Sequence, residues 1–301
     1  VPVADRIIEV ATAGARVRVD ASRLAITVGG ETVDAIPLDE VAALVLATPA
    51  ISLTHRALAE LASRGVNVVI SDGRRMPAAM LVPISAHSLH AERLRIQVEA
   101  PRPRRKRIWQ SIVQAKLRAQ AAVLEEVTGS DRGLRAMARR VRSGDPDNLE
   151  AQAARRYWPA LFGEAFRRQR DGGGVNPVLN YGYAVLRSVV ARALCGVGLH
   201  PSLGVHHHGR YDAFSLASDA MEPFRPWVDL VVAVRWADEP PEELTPEVKR
   251  TLLAPLLARY EVDRETRTLF DLAARVAGSL VEALATGRVS LPYPEAPAVG
   301  R

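Results

Sequence analysis

The hydrophobic pattern changes period near residue 85. Before that point, short β-branched or alternating runs at 6–11, 15–19, 24–28 and 42–47 are separated by Gly14, Gly29-Gly30 and Pro37, which predicts strands. One helix interrupts them: Ser52 or Thr54 can cap it, Leu53, Ala57, Leu58 and Leu61 form its apolar stripe, and Gly65 ends it. The run 66–70 predicts a buried strand closed by a Ser71-Asp72-Gly73 turn.

From about Ser88 the period is helical. A long basic amphipathic helix is predicted over 107–127, after the helix-hostile Pro101-Arg102-Pro103, and a second over 131–142, ended by Gly144-Asp145-Pro146-Asp147. Asn148 can cap a third, running through Leu161. After Gly172-Gly173-Gly174, Asn176 reads as a cap with Pro177 at the first helical position, and that helix reaches about Val197. Thr245-Pro246-Glu247 repeats the start signal, 263–286 reads as a final long helix, and the tail from Ser290, with three prolines, reads as loose. The expected fold class is α+β: a small β-rich domain over 1–85 (a sheet or sandwich with one helix), a linker at 86–103, and a larger all-α catalytic domain over 104–301. The first half holds no cluster of ligand-type residues, so its expected role is structural and dimer-forming.

Composition narrows the class. Hydrophobic residues at 48 % and charged residues at 25 % are ordinary for a globular protein. No segment reaches the ~18 uncharged apolar residues of a membrane span. The stretch 41–53 is too short and contains Pro49. The first residues carry acidic Asp5 and Glu9 without a signal pattern, and the single cysteine, Cys195, lies in an apolar helical stretch and can form no internal disulfide. A cytoplasmic location and a buried, inert thiol are therefore expected. The net charge of +6 is uneven: residues 93–142 hold 14 basic against 4 acidic side chains. A polyanionic partner would explain that density through counterion release, and a solvated helix face is the plainer reading.

Three features carry chemistry. Asn148-Leu149-Glu150 places a glutamate on a first helical turn, which the helix dipole alone would favour. The segment from Leu199 to His208 holds four of the seven histidines, which reads either as a ligand loop or as an exposed polar loop. Asp219 and Glu222, at i and i+3, would share one helix face; they are either an exposed pair or a pair held by a cation. Two glutamates, a histidine and an aspartate suit Mg²⁺ or Mn²⁺ better than zinc. With the basic helical half, they point to metal-assisted phosphodiester chemistry.

The same residues resemble the CRISPR-associated spacer-acquisition integrases, the Cas-one family. Ile36-Pro37-Leu38-Asp39-Glu40-Val41, Asn148-Leu149-Glu150-Ala151 with Ala154-Arg155-Arg156-Tyr157-Trp158, Asn176-Pro177-Val178-Leu179-Asn180-Tyr181-Gly182-Tyr183, and Gly198-Leu199-His200-Pro201 with His207 and then Asp219-Ala220-Met221-Glu222-Pro223-Phe224-Arg225-Pro226 look like its successive motifs. The Asn-x-Glu form and the Met-Glu-Pro-Phe-Arg-Pro ending resemble the type II branch. The resemblance implies that Glu150, one histidine of the 206–208 triplet and Glu222 hold Mg²⁺ or Mn²⁺, the spacing from Gly204 favouring His207, while Asp219 assists. It makes Arg156 and Arg225 candidates for the scissile phosphate or for salt bridges. Tyr157, Trp158, Asn180 and Tyr181 become candidates for placing the DNA end or for the core. The lysines and arginines from Arg102 to Arg118, with Arg104, Arg105, Lys106 and Arg107 foremost, become candidates for phosphate contacts.

The implied reaction is attack of a fragment's 3′-hydroxyl on a phosphodiester at the leader–repeat junction. The implied partners are double-stranded DNA, a second copy of the chain, a small ferredoxin-like adaptation protein and the type II effector nuclease. Exchange of one phosphodiester for another needs no nucleotide, and no Gly-x-x-x-x-Gly-Lys-Ser/Thr loop is present. A structure-selective endonuclease using water, and a non-catalytic DNA-binding scaffold, are the rival readings.

Overall fold

The computed structural model describes residues 6–71, 77–81, 87–209, 212–262 and 265–295. Its first part is two four-stranded sheets sharing a core. One has the order β1 (Arg6–Val10), β5 (Val41–Leu46), β7 (Asn67–Ser71), β8 (Pro77–Leu81), the first three parallel and the last antiparallel. The other runs β4 (Glu31–Pro37), β3 (Arg23–Val28), β2 (Arg16–Asp20), β6 (Ser52–Leu53). Val10, Leu44, Leu46 and Val68 of the first sheet pack with Val17, Leu24, Ile26 and Ile36 of the second, around Ala57 and Leu61 of α1 (His55–Ser63). Thr54 caps α1, its hydroxyl accepting from Ala57 N at 3.1 Å.

Besides β6, which takes up Ser52 and Leu53 where the helix was predicted to start, two strands of this part were not among the predicted runs. β4 is exposed over its first four residues and has too few apolar positions to show alternation. Gly29 and Gly30, both at positive φ, turn the chain back into it as a two-residue hairpin. β8 is the other. Of the predicted Ser71-Asp72-Gly73 turn, Asp72 and Gly73 lie outside the described residues, as do Asp5 and the last six positions.

The remainder is helical: α2 (His90–Glu99), α3 (Arg102–Thr128), α4 (Leu134–Arg140), α5 (Leu149–Phe162), α6 (Asn176–Gly196), α7 (Ser215–Met221), α8 (Arg225–Trp236), α9 (Pro246–Leu256) and α10 (Leu269–Thr286). The stretch read as a linker thus contains α2. α3 starts at Arg102 instead of 107, because Pro103 in a first turn gives up an N–H that would have had no partner anyway. Nor is α3 a one-faced basic helix. Ile108, Trp109, Ile112, Val113, Leu117, Ala119, Ala121, Val123 and Leu124 are buried around it, and α4, α5, α8 and α10 all pack on it.

The predicted helix over 263–286 is likewise corrected. A hairpin of β9 (Tyr260–Val262) and β10 (Glu265–Arg267) precedes α10, which begins with a Thr268/Asp271 capping box; Asp263 lies outside the described residues. The tail is not loose over 290–295: Tyr293 meets Phe224 edge to face and donates to Ala220 O at 2.9 Å. Cys195 is free and buried, which pushes its thiol up to about 11. Among the described residues no helix is long and apolar enough to cross a membrane.

The two parts meet along the first sheet, where Asn67 Nδ2 donates to Ser188 O at 2.8 Å and Lys249 pairs with Glu9 at 2.5 Å. α6 and α8 cross at Gly182, where an added Cβ would sit 2.5 Å from Val228 Cγ1. Gly182→Ala is therefore expected to lower the unfolding free energy by about 1–3 kcal/mol in urea titrations. Adding Val228→Ala should recover part of the loss, because the two changes share one space.

Candidate metal and phosphodiester site

Glu150 sits on the first turn of α5, but Asn148 does not cap that helix. Asn148 is itself left-handed (φ 51°) and makes no capping bond. Asp145 does the work instead, its carboxylate accepting from Leu149 N at 2.9 Å and Glu150 N at 3.0 Å. Asn176 likewise leaves the α6 N-terminus alone and accepts from Gln169 N and Arg168.

The histidine loop is tied at both ends. Gln97 of α2 donates to His200 O at 2.8 Å and Leu203 O at 3.0 Å, and accepts from His200 N at 2.9 Å. At the far end Asp219, fully buried on α7, accepts from Val205 N at 2.7 Å, His206 N at 2.9 Å and His207 N at 3.3 Å. Its Oδ1 also lies 2.5 Å from His207 Nδ1. Gly204 is required by this close approach, since a Cβ there would fall 2.2 Å from His207 O. Asp219 therefore has no free edge for an ion; it orients His207. The ring's Nδ1–H faces the carboxylate, which leaves Nε2 as the nitrogen without that partner. His206 stacks on Trp109 at 4.1 Å instead, and His208 is exposed.

Glu222 lies in a 3-10 turn (Glu222–Phe224) between α7 and α8 and is 5 % exposed. Asp219 and Glu222 are thus not an exposed carboxylate pair, and they do not face one partner. Arg225 Nη1 donates to Glu222 Oε1 at 2.6 Å, and Lys116 Nζ of α3 lies 2.6 Å from Oε2. The same Lys116 nitrogen is 2.5 Å from Glu150 Oε1. Burial alone would raise the Glu222 carboxyl, but Arg225 and Lys116 outweigh it and hold it at about 2. Burial alone would lower the Lys116 ammonium, and Glu222 and Glu150 reverse that direction.

Below this cluster Tyr157 donates to Asp229 Oδ2 at 2.9 Å, Tyr183 donates to Oδ1, and Arg225 lies 4.2 Å from the Tyr183 ring centre. Burial lifts Asp229 to about 6 against the pull of those bonds.

Lys116 joins Glu150 and Glu222, and both glutamates also act electrostatically on the His207 imidazole. Among the described residues no three His, Cys, Asp or Glu side chains are gathered closely enough to hold an ion as they stand. An ammonium occupies the space between the two carboxylates.

Other sequence candidates have different employment. Tyr157 and Tyr181 are fully buried and offer no ring face to DNA. Trp158 packs in an aromatic cluster with Phe162 and Phe166, and Asn180 is engaged by Arg168 and Arg170 O. Arg225 is the salt-bridge alternative. Exposed Arg156 makes no carboxylate bridge among the described residues; it donates to Arg132 O at 3.4 Å. Arg104 donates to Leu284 O and Ala285 O at the α10 C-terminus. Arg102, Lys106 and Arg107 are exposed and Arg105 is half-buried. Lys116, grouped by sequence with the phosphate contacts, is inside the site. Its signal was available: the chain has three lysines among 40 basic residues, and this one sits in an apolar helical run.

Comparison with known proteins identifies the family. The family described as "CRISPR associated protein Cas1" matches residues 8–236. A CRISPR-associated endonuclease Cas1 from Neisseria meningitidis serogroup C (strain 8013) is 37 % identical over 265 residues, covering 87 % of this chain and 86 % of that one. Among solved structures, a casposase bound to integration product superposes with a TM-score of 0.80 at 20 % identity, covering 98 % of this chain and 95 % of that one. A Cas6-RT-Cas1–Cas2 complex gives 0.72 at 18 %, over 94 % of this chain and 35 % of that one. At those identities the superpositions speak for the fold alone. The fold defines a class shared with the casposase and the Cas1–Cas2 complex. Within it, the chain belongs to the CRISPR-associated Cas1 family.

Hydrogen bonding to Asp219 is the main reason the His207 imidazolium is held above its ordinary range. The stabilisation from that pair is complete below about pH 6.5 and is lost as pH rises through the raised value. The protein without added metal is expected to melt at lower temperature at pH 8 than at pH 6. His207→Gln should flatten that dependence in thermal scans.

Proposed function

We propose that this protein is a metal-dependent DNA integrase of CRISPR adaptation, joining short DNA fragments into a repeat array by transesterification. The observation that carries the reading is buried Glu222 and half-buried Glu150 paired around a single cation, beside an imidazole whose free nitrogen is set by a buried aspartate.

Glu150, Glu222 and His207 Nε2 would hold Mg²⁺ or Mn²⁺. Two carboxylates and one imidazole suit such hard ions, and Glu222 Oε2 is buried without a directed hydrogen bond. When bound, the ion polarises the scissile phosphate and lowers the pKa of the attacking hydroxyl. Asp219 fixes the tautomer and orientation of His207, and Arg225 fixes one oxygen of Glu222 so that the other faces the site. The exposed Arg102, Lys106 and Arg107 at the start of α3 supply sequence-independent attraction to the backbone phosphates. The fragment's 3′-oxygen forms a new P–O bond while the target strand's 3′-oxygen leaves, so bond number is conserved.

Support for joining comes from the casposase, whose structure holds an integration product. Support for a Cas2-type partner comes from the complex that contains one. A homodimer formed through the β-rich half, and recruitment of a type II effector nuclease, complete the reading. The type II assignment draws on the Asn-Leu-Glu and Met-Glu-Pro-Phe-Arg-Pro motifs.

Hydrolytic endonuclease action at the same centre is the second reading, favoured by the name of the Neisseria relative. A supercoiled plasmid carrying a leader and one repeat, incubated with labelled duplex, the small partner and Mn²⁺ or Mg²⁺, separates the two. We expect metal-dependent attachment of label, reduced at least ~100-fold by Glu222→Ala or Glu150→Ala. Nicking without attachment would instead establish hydrolysis. Equal behaviour of wild type and both variants would leave only a DNA-binding scaffold.

A further inference from the structure

We infer that Lys116 is a resident counter-cation: its ammonium holds Glu150 and Glu222 together in the metal-free protein and gives up that place when a divalent ion binds. The inference rests on the metal-site reading above and adds a positioning residue that sets how tightly the ion is held.

Three observations carry it. First, a single nitrogen contacts both carboxylates, at 2.5 Å and 2.6 Å, on a side chain 13 % exposed. No bridging divalent ion can occupy that point while the ammonium does. Second, the charges already balance: Lys116 and Arg225 against Glu150 and Glu222. A dication added to that set would meet two unyielding positive charges in a poorly screened interior unless one moved away. Arg225 is anchored by a 2.6 Å bond to Glu222 and by its place over the Tyr183 ring. Lys116 is the one able to swing: its single directed bond runs to Glu150 Oε1, at 2.5 Å, from the end of a flexible stem. Its approach to Glu222 Oε2 is close but off the hydrogen-bonding directions, so charge alone holds that second contact.

Third, the residue type is selective. Of 40 basic side chains only Lys106, Lys116 and Lys249 are lysine. A guanidinium would grip the two carboxylates through a rigid fork, whereas an ammonium is a compact point charge on a flexible stem. The chain departs from its habitual arginine at the position where displacement is required.

A salt bridge with a purely structural role would lose stability on substitution but leave metal affinity alone. Calorimetric titration of the full chain with Mn²⁺ distinguishes the two. Lys116→Met and Lys116→Gln are expected to bind Mn²⁺ at least ~10-fold more tightly than wild type, with a larger Mn²⁺-induced rise in Tm. Lys116→Arg, keeping the charge, should bind no more tightly than wild type.

If wild type binds Mn²⁺ and the two neutral variants bind equally or less well, the counter-cation role is wrong and the metal site stands. If none of the proteins binds at millimolar Mn²⁺, both fall. Should the neutral variants fail to fold, wild type labelled with ¹³Cε-lysine gives three resonances to follow during Mg²⁺ titration. The Lys116 signal is expected to shift with the binding isotherm while Lys106 and Lys249 stay put. A stationary Lys116 signal at saturation would overturn the inference.

Discussion

A carboxylate as buried as Glu222 survives in ionised form only because Arg225 and Lys116 stand against it. That requirement organises the helical half. Lys116 must come from the middle of α3, so α3 runs through the interior and cannot be a basic surface rod. Arg225 must come from the first turn of α8, so a short 3-10 turn delivers Glu222 and its partner only three residues apart. Glu150 must reach the same ammonium from α5, and Asp145 fixes where α5 begins. Each of these helices is packed by apolar side chains, but its axial position is set by charge neutralisation at one point.

The same economy explains Asp219 and Asp229. Neither is left to face a cation alone. Asp219 saturates itself with three backbone N–H groups and one imidazole, converting a flexible Gly-containing loop into a rigid shelf for His207. Asp229 accepts from two tyrosines beneath Arg225 and keeps that guanidinium from retreating into the core. Segments remote in sequence then brace the shelf: α2 through Gln97 beneath the loop, and Tyr293 of the tail behind α7. Hydrogen bonds to charged groups contribute more than neutral ones, which suits a cluster whose side chains come from four separate stretches of chain: α3, α5, the histidine loop and the turn before α8.

What the sequence makes legible follows from range. The division into a strand-rich and a helical half, the Thr54 and Thr245 caps, and the residue types of Glu150, His207, Asp219 and Glu222 depend on local pattern or motif spacing. What it hides depends on contacts across the chain. Lys116 looked like one more basic residue because charge counts ignore burial. Asn148 looked like a cap because the residue type is right, but its left-handed backbone points the side chain elsewhere and a carboxylate three positions earlier substitutes. The helix predicted from 263 fails because a capping box at Thr268 and a short hairpin compete with periodicity, and the start of the proline-rich tail is held by Leu291 and Tyr293 packed on the core, which composition cannot weigh. The aromatic candidates for DNA contact went inside for the ordinary reason that large rings contribute most when buried.

Neutrality has a further physical consequence. Two glutamates gathered without compensation would repel one another, and folding of α3, α5 and α8 around them would depend on the supply of an external ion. With Lys116 and Arg225 in place the cluster is neutral by itself, so the helical half can reach its packed form first. The compensation acts against ion affinity, because whatever holds the carboxylates in the absence of metal must be overcome in its presence. Arginine at 116 would push that balance toward stability and methionine toward affinity. A lysine, charged but weakly directed, lies between the two.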